Sequence, residues 1–386
     1  MIYMDYNASC PIRLEALQAM IEAYATWGNP SSIHRFGRAK GDQLENARTQ
    51  MAQLIGAEGH TLIVTSGGSE SNTLALSGCQ KFVNSRITST IEHDSVLNNC
   101  AQNLTQEGET HRMVRVTSEG IIDLAHLEEI LSQSAKPALV SIMLANNETG
   151  VIQPIQEVAH LAKAHDALVH TDASQAFGKI PVSFVDLGVD MMTVSGHKIG
   201  GPLGVGALIL KSNIKFEPLI RGGLQEKGLR AGTENIPAFL GFLAAAEAAL
   251  RDDMIFLAGL RNHLEKTLES EVTNFKIYGK NAPRLPNTSC FSTLSLTQES
   301  QLMALDLEGI AVSAGAACAS KKMRASHVLL AMGSTLDEAK CALRVSLGHQ
   351  TKPADIDALT QTWLNLYFRV HRRLHENTPL TRTATC

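Results

Sequence analysis

The feature that most restricts the fold is a regular alternation of short apolar runs with amphipathic stretches between residues 43 and 210. The amphipathic stretches have the spacing of helices, with apolar residues three or four positions apart. Strands that alternate with helices predict an α/β fold, a mostly parallel sheet with helices on both faces. The runs that predict strands are residues 62–65, 86–90, 113–116, 138–144, 167–171, 191–194 and 205–210.

The remainder of the chain has a different pattern. A long alanine-rich helix is predicted from about residue 233 to residue 270, and it leads away from the sheet. Shorter strand and helix patterns follow, which predict a smaller α+β domain. We therefore expect a large domain over residues 16–255 and a small domain formed by residues 1–15 together with residues 256–386.

Composition and charge exclude several classes of function. The 386 residues are 44% hydrophobic and 19% charged, and the net charge of -4 offers no field that would attract nucleic acid or an anionic membrane. No apolar run approaches the roughly 20 residues that span a bilayer. Residues 1–7 lack the pattern of a signal peptide, so a cytoplasmic location is expected. The seven cysteines contain no C-x-x-C pair, so no metal site is expected.

A lysine in a Gly-rich turn is the first candidate for chemistry. Lys198 ends the segment 195–198 that directly follows the predicted strand 191–194, and open α/β sheets bind ligands at strand ends. A lysine among other cations or apolar walls can lose its proton near neutral pH and attack an aldehyde. Taken alone, a lysine in a turn is more often a surface residue. Asp172, at the end of strand 167–171, could keep a pyridine nitrogen protonated, and Gln175 could donate to a phenolic oxygen.

A second candidate site lies between the strand at residues 62–65 and the following helix. Residues 66–69 read Ser-Gly-Gly-Ser, and backbone N–H groups at such a helix start favour a phosphate. The signal is weak by itself. The rival nucleotide motifs, G-x-x-x-x-G-K-[ST] and G-x-G-x-x-G after a first strand, do not occur.

Taken together, several motifs resemble one enzyme family over nearly the whole chain. In chain order they are YMDYNA (residues 3–8), GNPSSIH (28–34), TSGGSESN (65–72), NNETG (146–150), HTDASQ (170–175), SGHK (195–198) and RAGTEN (230–235). This ordered set resembles the fold-type-I pyridoxal-phosphate enzymes of the class-V aminotransferase superfamily, and most of all the cysteine desulfurases.

The resemblance implies a role for each of these positions. Lys198 would hold pyridoxal phosphate as a Schiff base, and His93 would stack on the ring and move protons. Read from the residues alone, His93 is more often a helix-start residue, and Asn147 could be a turn residue before Gly150. Thr233 would reach the phosphate of the other subunit's cofactor, which implies a homodimer. The resemblance implies that the cofactor is bound by Gly68, Ser69, Asn147, Asp172, Gln175, Ser195, His197, Lys198 and Thr233, and that Asn147 also contacts the substrate.

One cysteine stands apart from the other six. Cys318 is flanked by small residues, and the cations that follow it, Lys321, Lys322 and Arg324, favour the thiolate. It could be a structural cysteine, but the stretch resembles the catalytic loop of the long-loop desulfurases. Arg344 matches the arginine that grips the substrate carboxylate, a task that suits a bidentate guanidinium.

The expected reaction is the conversion of L-cysteine to L-alanine, with the sulfur held as a persulfide on Cys318. The resemblance implies transfer to an acceptor protein, such as an iron–sulfur scaffold. A selenocysteine lyase or a class-V aminotransferase would use the same fold. A catalytically silent dimer that only binds a partner is the alternative outside the enzymes, and the intact set of Lys198, Asp172 and His93 argues against it.

Overall fold

The computed structural model describes residues 1–102, 110–315 and 325–376. The strands are β1 (Ile2–Tyr3), β2 (Thr61–Thr65), β3 (Ser85–Ser89), β4 (Thr110–Val114), β5 (Ala138–Ser141), β6 (Ala167–Asp172), β7 (Met191–Ser195), β8 (Gly206–Leu210), β9 (Lys276–Ile277), β10 (Thr288–Ser292), β11 (Ile310–Ala311) and β12 (Ala342–Ser346). The α-helices are α1 (Leu14–Tyr24), α2 (Arg35–Leu54), α3 (Gly68–Gly78), α4 (Asp94–Gln102), α5 (Leu124–Gln133), α6 (Ile155–Ala164), α7 (Phe184–Leu187), α8 (Ile236–Ala249), α9 (Met254–Glu271), α10 (Gln298–Leu307), α11 (His327–Ala331), α12 (Leu336–Lys340) and α13 (Pro353–Glu376).

The central sheet has the order β2-β8-β7-β6-β5-β3-β4. The strand pairs from β7 to β4 are all parallel, whereas β8 is antiparallel to both of its neighbours. The connection from β7 to β8 explains the exception. It spans only residues 196–205 and contains no α-helix, and a parallel crossover needs a longer segment that usually includes one. The prediction of a mostly parallel α/β sheet is confirmed.

Apolar side chains pack on both faces of the central sheet, and a further apolar cluster lies in the C-terminal part of the chain. The residues of β3, β5, β7 and β8 are all buried, as expected for strands covered on both faces. A separate apolar cluster, which includes Leu264, Phe291 and Trp363, packs α9 and α13 against a small antiparallel sheet of order β12-β10-β9. The division of the chain at residue 255 stays a prediction.

The prediction of one long helix from residue 233 to residue 270 is wrong in one respect, because this stretch forms two helices, α8 and α9. The Asp253 carboxylate accepts a hydrogen bond from the backbone N–H of Phe256 and so caps the start of α9. Arg13 binds the neighbouring Asp252 through Nη1 at 3.0 Å and holds the break in place. An aspartate before an apolar run is a helix-start signal that the alanine-rich pattern obscured.

Among the residues that the structure describes, there is no helix with both the length and the apolar character that a membrane crossing requires.

Candidate active site

A cavity of about 410 Å³ opens where β2, β6 and β7 end. These strands point in the same direction, so their carboxyl ends meet at one edge of the sheet. The sequence-predicted residues that line this cavity are Gly68, Ser69, His93, Asn147, Asp172, Gln175, Ser195, His197 and Lys198.

One end of the cavity, formed by Gly68, Ser174 and Ser195 and called here the anion end, is built to receive a negative group. The helix α3 begins at Gly68, after a Gly67 whose φ of +149° suits only glycine. Across the turn, the hydroxyls of Ser174 and Ser195 are buried and have no hydrogen-bond partner within the described ranges. A Cβ atom on Gly68 would lie 3.1 Å from the Ser174 hydroxyl, so glycine leaves the cradle open. Helix N–H groups and unpaired hydroxyls are the donors that a phosphate needs.

The other end, where Lys198 and Gln175 line the cavity, is called here the amine end. Its polar groups are hydrogen-bonded to Asn7 and Lys179, which do not line the cavity. Lys198 lies in a short 3-10 turn directly after β7, and its Nζ donates to the carbonyls of Asn7 at 2.7 Å and Ala8 at 3.1 Å. Burial, and next the positive charge of Arg344, lower the pKa of Lys198 to about 8. A substantial fraction of this amine is therefore neutral near pH 8, which is the form that attacks an aldehyde.

Asp172 also lines the cavity, and its carboxylate is held by two donors. Its Oδ1 accepts the backbone N–H of Ser174 at 2.9 Å, and its Oδ2 accepts Nδ2 of Asn72 at 2.7 Å. The same Asn72 amide donates to the hydroxyl of Ser95 at 2.9 Å. The carboxylate is thus oriented by groups on α3 and on the turn after β6.

His93 stands at the exposed side of the cavity, just before α4. Its Nδ1 accepts the backbone N–H of Ser95 at 3.1 Å, so the neutral ring carries its hydrogen on Nε2. Glu92, immediately before it, is buried, and its carboxyl group binds the backbone N–H of Met143 at 3.0 Å and 3.1 Å. These hydrogen bonds anchor the loop that presents His93, and burial raises the pKa of Glu92 to about 8.

His197, next to Lys198, is uncharged near neutral pH. Burial and the neighbouring Lys198 lower its pKa to about 4. Its Nδ1 lies 3.3 Å from the hydroxyl of Ser9, which comes from the N-terminal segment.

Three sequence-predicted residues are not among the described residues that line the cavity. Arg344 is buried on β12, where it donates to the carbonyl of Asn147 at 3.0 Å and to Asp5 at 2.6 Å. Thr233 is exposed in the loop before α8. Cys318 lies outside the described residues.

Sequence reasoning missed the roles of three residues at the site. Asn72 orients Asp172, and Asn7 accepts a hydrogen bond from Lys198. Lys179 is buried beneath the amine end, and burial together with the charge of Lys198 lowers its pKa to about 7. Asn7 and Asn72 stand inside quoted motifs, but Lys179 gave no signal because a glycine–lysine pair in a turn is ordinary.

The arrangement suits a ligand that carries three different polar groups. An anion would bind at the anion end, a protonated ring nitrogen would pair with Asp172, and an aldehyde would meet the Lys198 amine. Pyridoxal phosphate has all three groups, so the residues present fit this cofactor.

Comparison with known proteins supports this interpretation. The aminotransferase class-V family matches residues 2–359. A cysteine desulfurase of Cereibacter sphaeroides is 44% identical over 93% of this chain and 94% of its own length. The cysteine desulfurase IscS of Dictyoglomus turgidum is 40% identical, with 92% of each chain covered.

Solved structures give the same result. The X-ray structure of a NifS-like protein from Rickettsia africae superposes with a TM-score of 0.87 at 36% identity, covering 95% of this chain and 99% of that one. SspA, solved in complex with cysteine, superposes with a TM-score of 0.78 at 30% identity, covering 91% of this chain and 100% of that one. The chain therefore belongs to the class-V aminotransferase family and, within it, to the pyridoxal-phosphate-dependent cysteine desulfurases.

Proposed function

We propose that this cysteine desulfurase takes the sulfur of free L-cysteine onto Cys318 as a persulfide, releases L-alanine, and passes the sulfur to an acceptor protein. The observation that carries the proposal is the cavity itself, which joins an open anion end to a lysine whose pKa is lowered to about 8. When bound there, pyridoxal phosphate supplies an electron sink for the substrate's α-carbon.

The cofactor would be held by residues from several elements. Gly68, Ser69, Ser195 and His197 would bind the phosphate, while Asp172 would pair with the ring nitrogen. Two features support that assignment, namely the hydroxyl of Ser195, which has no partner among the described residues, and the fixed orientation of Asp172. The further cofactor contacts that we propose are Asn147, Gln175 and, from the other subunit, Thr233.

Lys198 and His93 would move the protons of the reaction. A neutral Lys198 amine can take the α-proton of the substrate, and its position is fixed by the carbonyls of Asn7 and Ala8. The protonated ring of His93 can give a proton, and the neutral ring that remains can recover one from solvent at its exposed side. Arg344 would bind the substrate carboxylate beside Asn147, whose carbonyl it already contacts.

The sulfur step would be carried by Cys318. Its thiolate attacks the sulfur of the bound cysteine, so that a sulfur–sulfur bond forms and the substrate's carbon–sulfur bond breaks. The electron pair of the broken bond stays on carbon, which is then protonated and leaves as alanine.

The described residues on either side of Cys318 support its access to the cavity. Ser326 donates to the buried carboxylate of Glu148 at 2.6 Å, and a Cβ atom on Gly315 would lie 2.8 Å from the same carboxylate. Glu148 directly follows the cavity residue Asn147. Both described flanks of residues 316–324 therefore meet next to the cavity.

Replacing Cys318 with serine should separate cofactor binding from sulfur transfer. The Cys318→Ser variant should bind pyridoxal phosphate and change its absorption spectrum on adding cysteine, because Lys198 and Asp172 are untouched. It should release almost no alanine, since a serine hydroxyl is a far poorer nucleophile than a thiolate. The measurement is alanine release, read beside the cofactor spectrum.

The matched control is Cys386→Ser, which removes a thiol from a position distant in sequence from every cavity residue. It should behave as wild type. Alanine release at the wild-type rate by Cys318→Ser would remove this thiol from the mechanism and favour an aminotransferase-like reaction.

A homodimer is the assembly that we propose. Thr233 is exposed and does not line the chain's own cavity within the described residues. The side chains of Leu14, Leu17, Ile21 and Tyr24 expose one apolar face of α1, between 42% and 80% accessible. A second copy of the chain would cover such a face. A molar mass of one chain by light scattering would contradict the dimer.

The reducing cytoplasm is the location that we propose. The cysteines at positions 10, 79, 100, 290 and 341 are free thiols, as expected where glutathione keeps proteins reduced. An iron–sulfur scaffold is the sulfur acceptor that we propose. Trapping the persulfide in cell extract and identifying the protein that becomes labelled would test this acceptor. Labelling only of proteins unrelated to cluster assembly would contradict a scaffold.

A further inference from the structure

A second lysine lies under the amine end and has no part in the reaction as proposed. Lys179 follows Gln175 in the turns after β6 and is only 7% exposed. Its Nζ donates to Oδ1 of Asn7 at 2.8 Å and to Oε1 of Gln175 at 2.9 Å. Burying an amine disfavours its charged form, so a buried lysine needs such partners.

Lys179 determines how the amide of Gln175 is oriented. A lysine amine carries hydrogens to donate in either charge state, so the amide atom that faces it is the oxygen. The nitrogen then lies on the other side, where Nε2 of Gln175 donates to the carbonyl of Asn7 at 2.9 Å. Were this amide reversed, Oε1 would face that carbonyl, and two acceptors would repel each other.

Lys179 also helps to fix the side chain of Asn7, whose Oδ1 accepts a second hydrogen bond from Nδ2 of Asn287 at 3.2 Å. With Oδ1 directed at Lys179, Nδ2 of Asn7 donates to the hydroxyl of Thr288 at 2.9 Å and to the carbonyl of Asn147 at 3.2 Å. Asn7 is thus anchored on several sides, and its backbone carbonyl is the acceptor for Lys198 at 2.7 Å.

We propose that Lys179 is a positioning residue that acts through Gln175 and Asn7. It keeps an amide N–H of Gln175, rather than an amide oxygen, on the Lys198 side of the cavity, and it holds the Asn7 carbonyl against Lys198. The second hydrogen on Nε2 of Gln175 is then available to an acceptor oxygen on a bound ligand. The inference rests on the proposed function in one respect, because the ligand is taken to be pyridoxal phosphate.

The test compares Lys179→Met with Lys40→Met. Lys40 is also buried and also donates two hydrogen bonds, to the backbone carbonyl of Ala23 at 2.8 Å and to the side-chain amide oxygen of Gln43 at 3.0 Å, but it lies on α2 and does not line the cavity. Pyridoxal phosphate is titrated onto cofactor-free protein, and the absorption maximum of the bound cofactor is recorded. Lys179→Met should weaken the affinity about threefold or more and shift the maximum, because the side-chain oxygens of Gln175 and Asn7 lose the amine that holds them. Lys40→Met should change neither.

A double-mutant cycle with Gln175→Ala tests whether Lys179 acts through the amide. Once Gln175 is alanine, adding Lys179→Met should weaken cofactor binding by much less than it does in the wild-type background. Full additivity would overturn the proposal, and so would a Lys179→Met variant that matches Lys40→Met in both readings.

Folding is checked by circular dichroism, and Lys179→Ala, which leaves room for water, replaces Lys179→Met if the methionine variant aggregates. If neither folds while Lys40→Met does, Lys179 is a structural residue and the proposal fails. Failure of the proposed function is a separate outcome, because it would appear in the wild-type protein as absent alanine release or absent attachment of the cofactor to Lys198.

Discussion

The two ends of the cavity differ in how their polar atoms are paired. At the anion end the hydroxyls of Ser174 and Ser195 are buried without a partner in the part of the chain that the structure describes. At the amine end Lys198, Lys179 and Asn7 are joined by hydrogen bonds of 2.7–2.8 Å. Unpaired buried donors cost free energy until a ligand accepts their hydrogen bonds, whereas paired groups are held in position before any ligand arrives. The anion end is therefore suited to binding a negatively charged group, and the amine end holds the reactive amine of Lys198 in position.

The largest expected effect comes from breaking the amine end at its reactive group. Lys198→Ala should abolish alanine release, because this amine would both attach the cofactor and move the α-proton. Borohydride should no longer fix pyridoxal phosphate to the chain, as measured by mass spectrometry. In the wild type, attachment should become faster as the pH is raised through about 8, because the protonated amine that predominates below this pKa cannot attack.

The control for Lys198→Ala is Lys211→Ala. Lys211 is half exposed and pairs with Asp190 away from the cavity, so its loss should leave both readings unchanged. Normal turnover by Lys198→Ala would remove Lys198 from the mechanism and would make the amine end a structural feature only.

A smaller effect is expected from Arg344, which adjoins the amine end through Asn147 and lowers the pKa of Lys198. Arg344→Ala should mainly raise the KM for cysteine, roughly tenfold to a hundredfold, because a charge-assisted hydrogen bond contributes about 1.5–3 kcal/mol. The maximal rate should fall less than the affinity. Steady-state kinetics over a range of cysteine concentrations measure both.

Asp5→Asn separates substrate binding from a structural role of Arg344. This variant removes the charge that pairs with Arg344 in the folded chain but leaves the guanidinium in place. If Arg344 binds the substrate carboxylate, Asp5→Asn should not raise KM. An equal rise in both variants would show that the ion pair, and not contact with the substrate, is what matters.

The same contrast explains how much could be predicted from the sequence. The start of α3 at the anion end could be predicted, because a strand, a Gly-rich turn and a helix start follow one another in the sequence, here over residues 61–70. Asp172 and Lys198 could also be predicted as site residues, because each lies at or just after the end of an apolar strand. The role of Lys179 could not be predicted, because it depends on a contact with Asn7, which lies 172 positions away in the chain. Contacts of that separation depend on the tertiary fold, which no local pattern reports.

The smallest expected effect sharpens the comparison at the anion end. Ser195→Ala should weaken pyridoxal phosphate binding to cofactor-free protein by about tenfold, since a hydrogen bond to a charged group contributes about 1.5 kcal/mol or more. Binding of pyridoxal, which lacks the phosphate, should change little. The ratio of the two affinities, measured by titration, isolates the contribution of the phosphate.

The stability of the cofactor-free protein gives the matching control. The Ser195 hydroxyl has no partner to lose within the described residues, so Ser195→Ala should not lower the free energy of unfolding. Ser85 is equally buried, but its hydroxyl donates to the carbonyl of Ala135 at 2.6 Å. Ser85→Ala should therefore lower the free energy of unfolding by about 1 kcal/mol, because this hydrogen bond is lost. Denaturant melts of the two variants would contradict the account of the anion end if Ser195→Ala were destabilised as much as Ser85→Ala, since its hydroxyl would then be paired before any ligand binds.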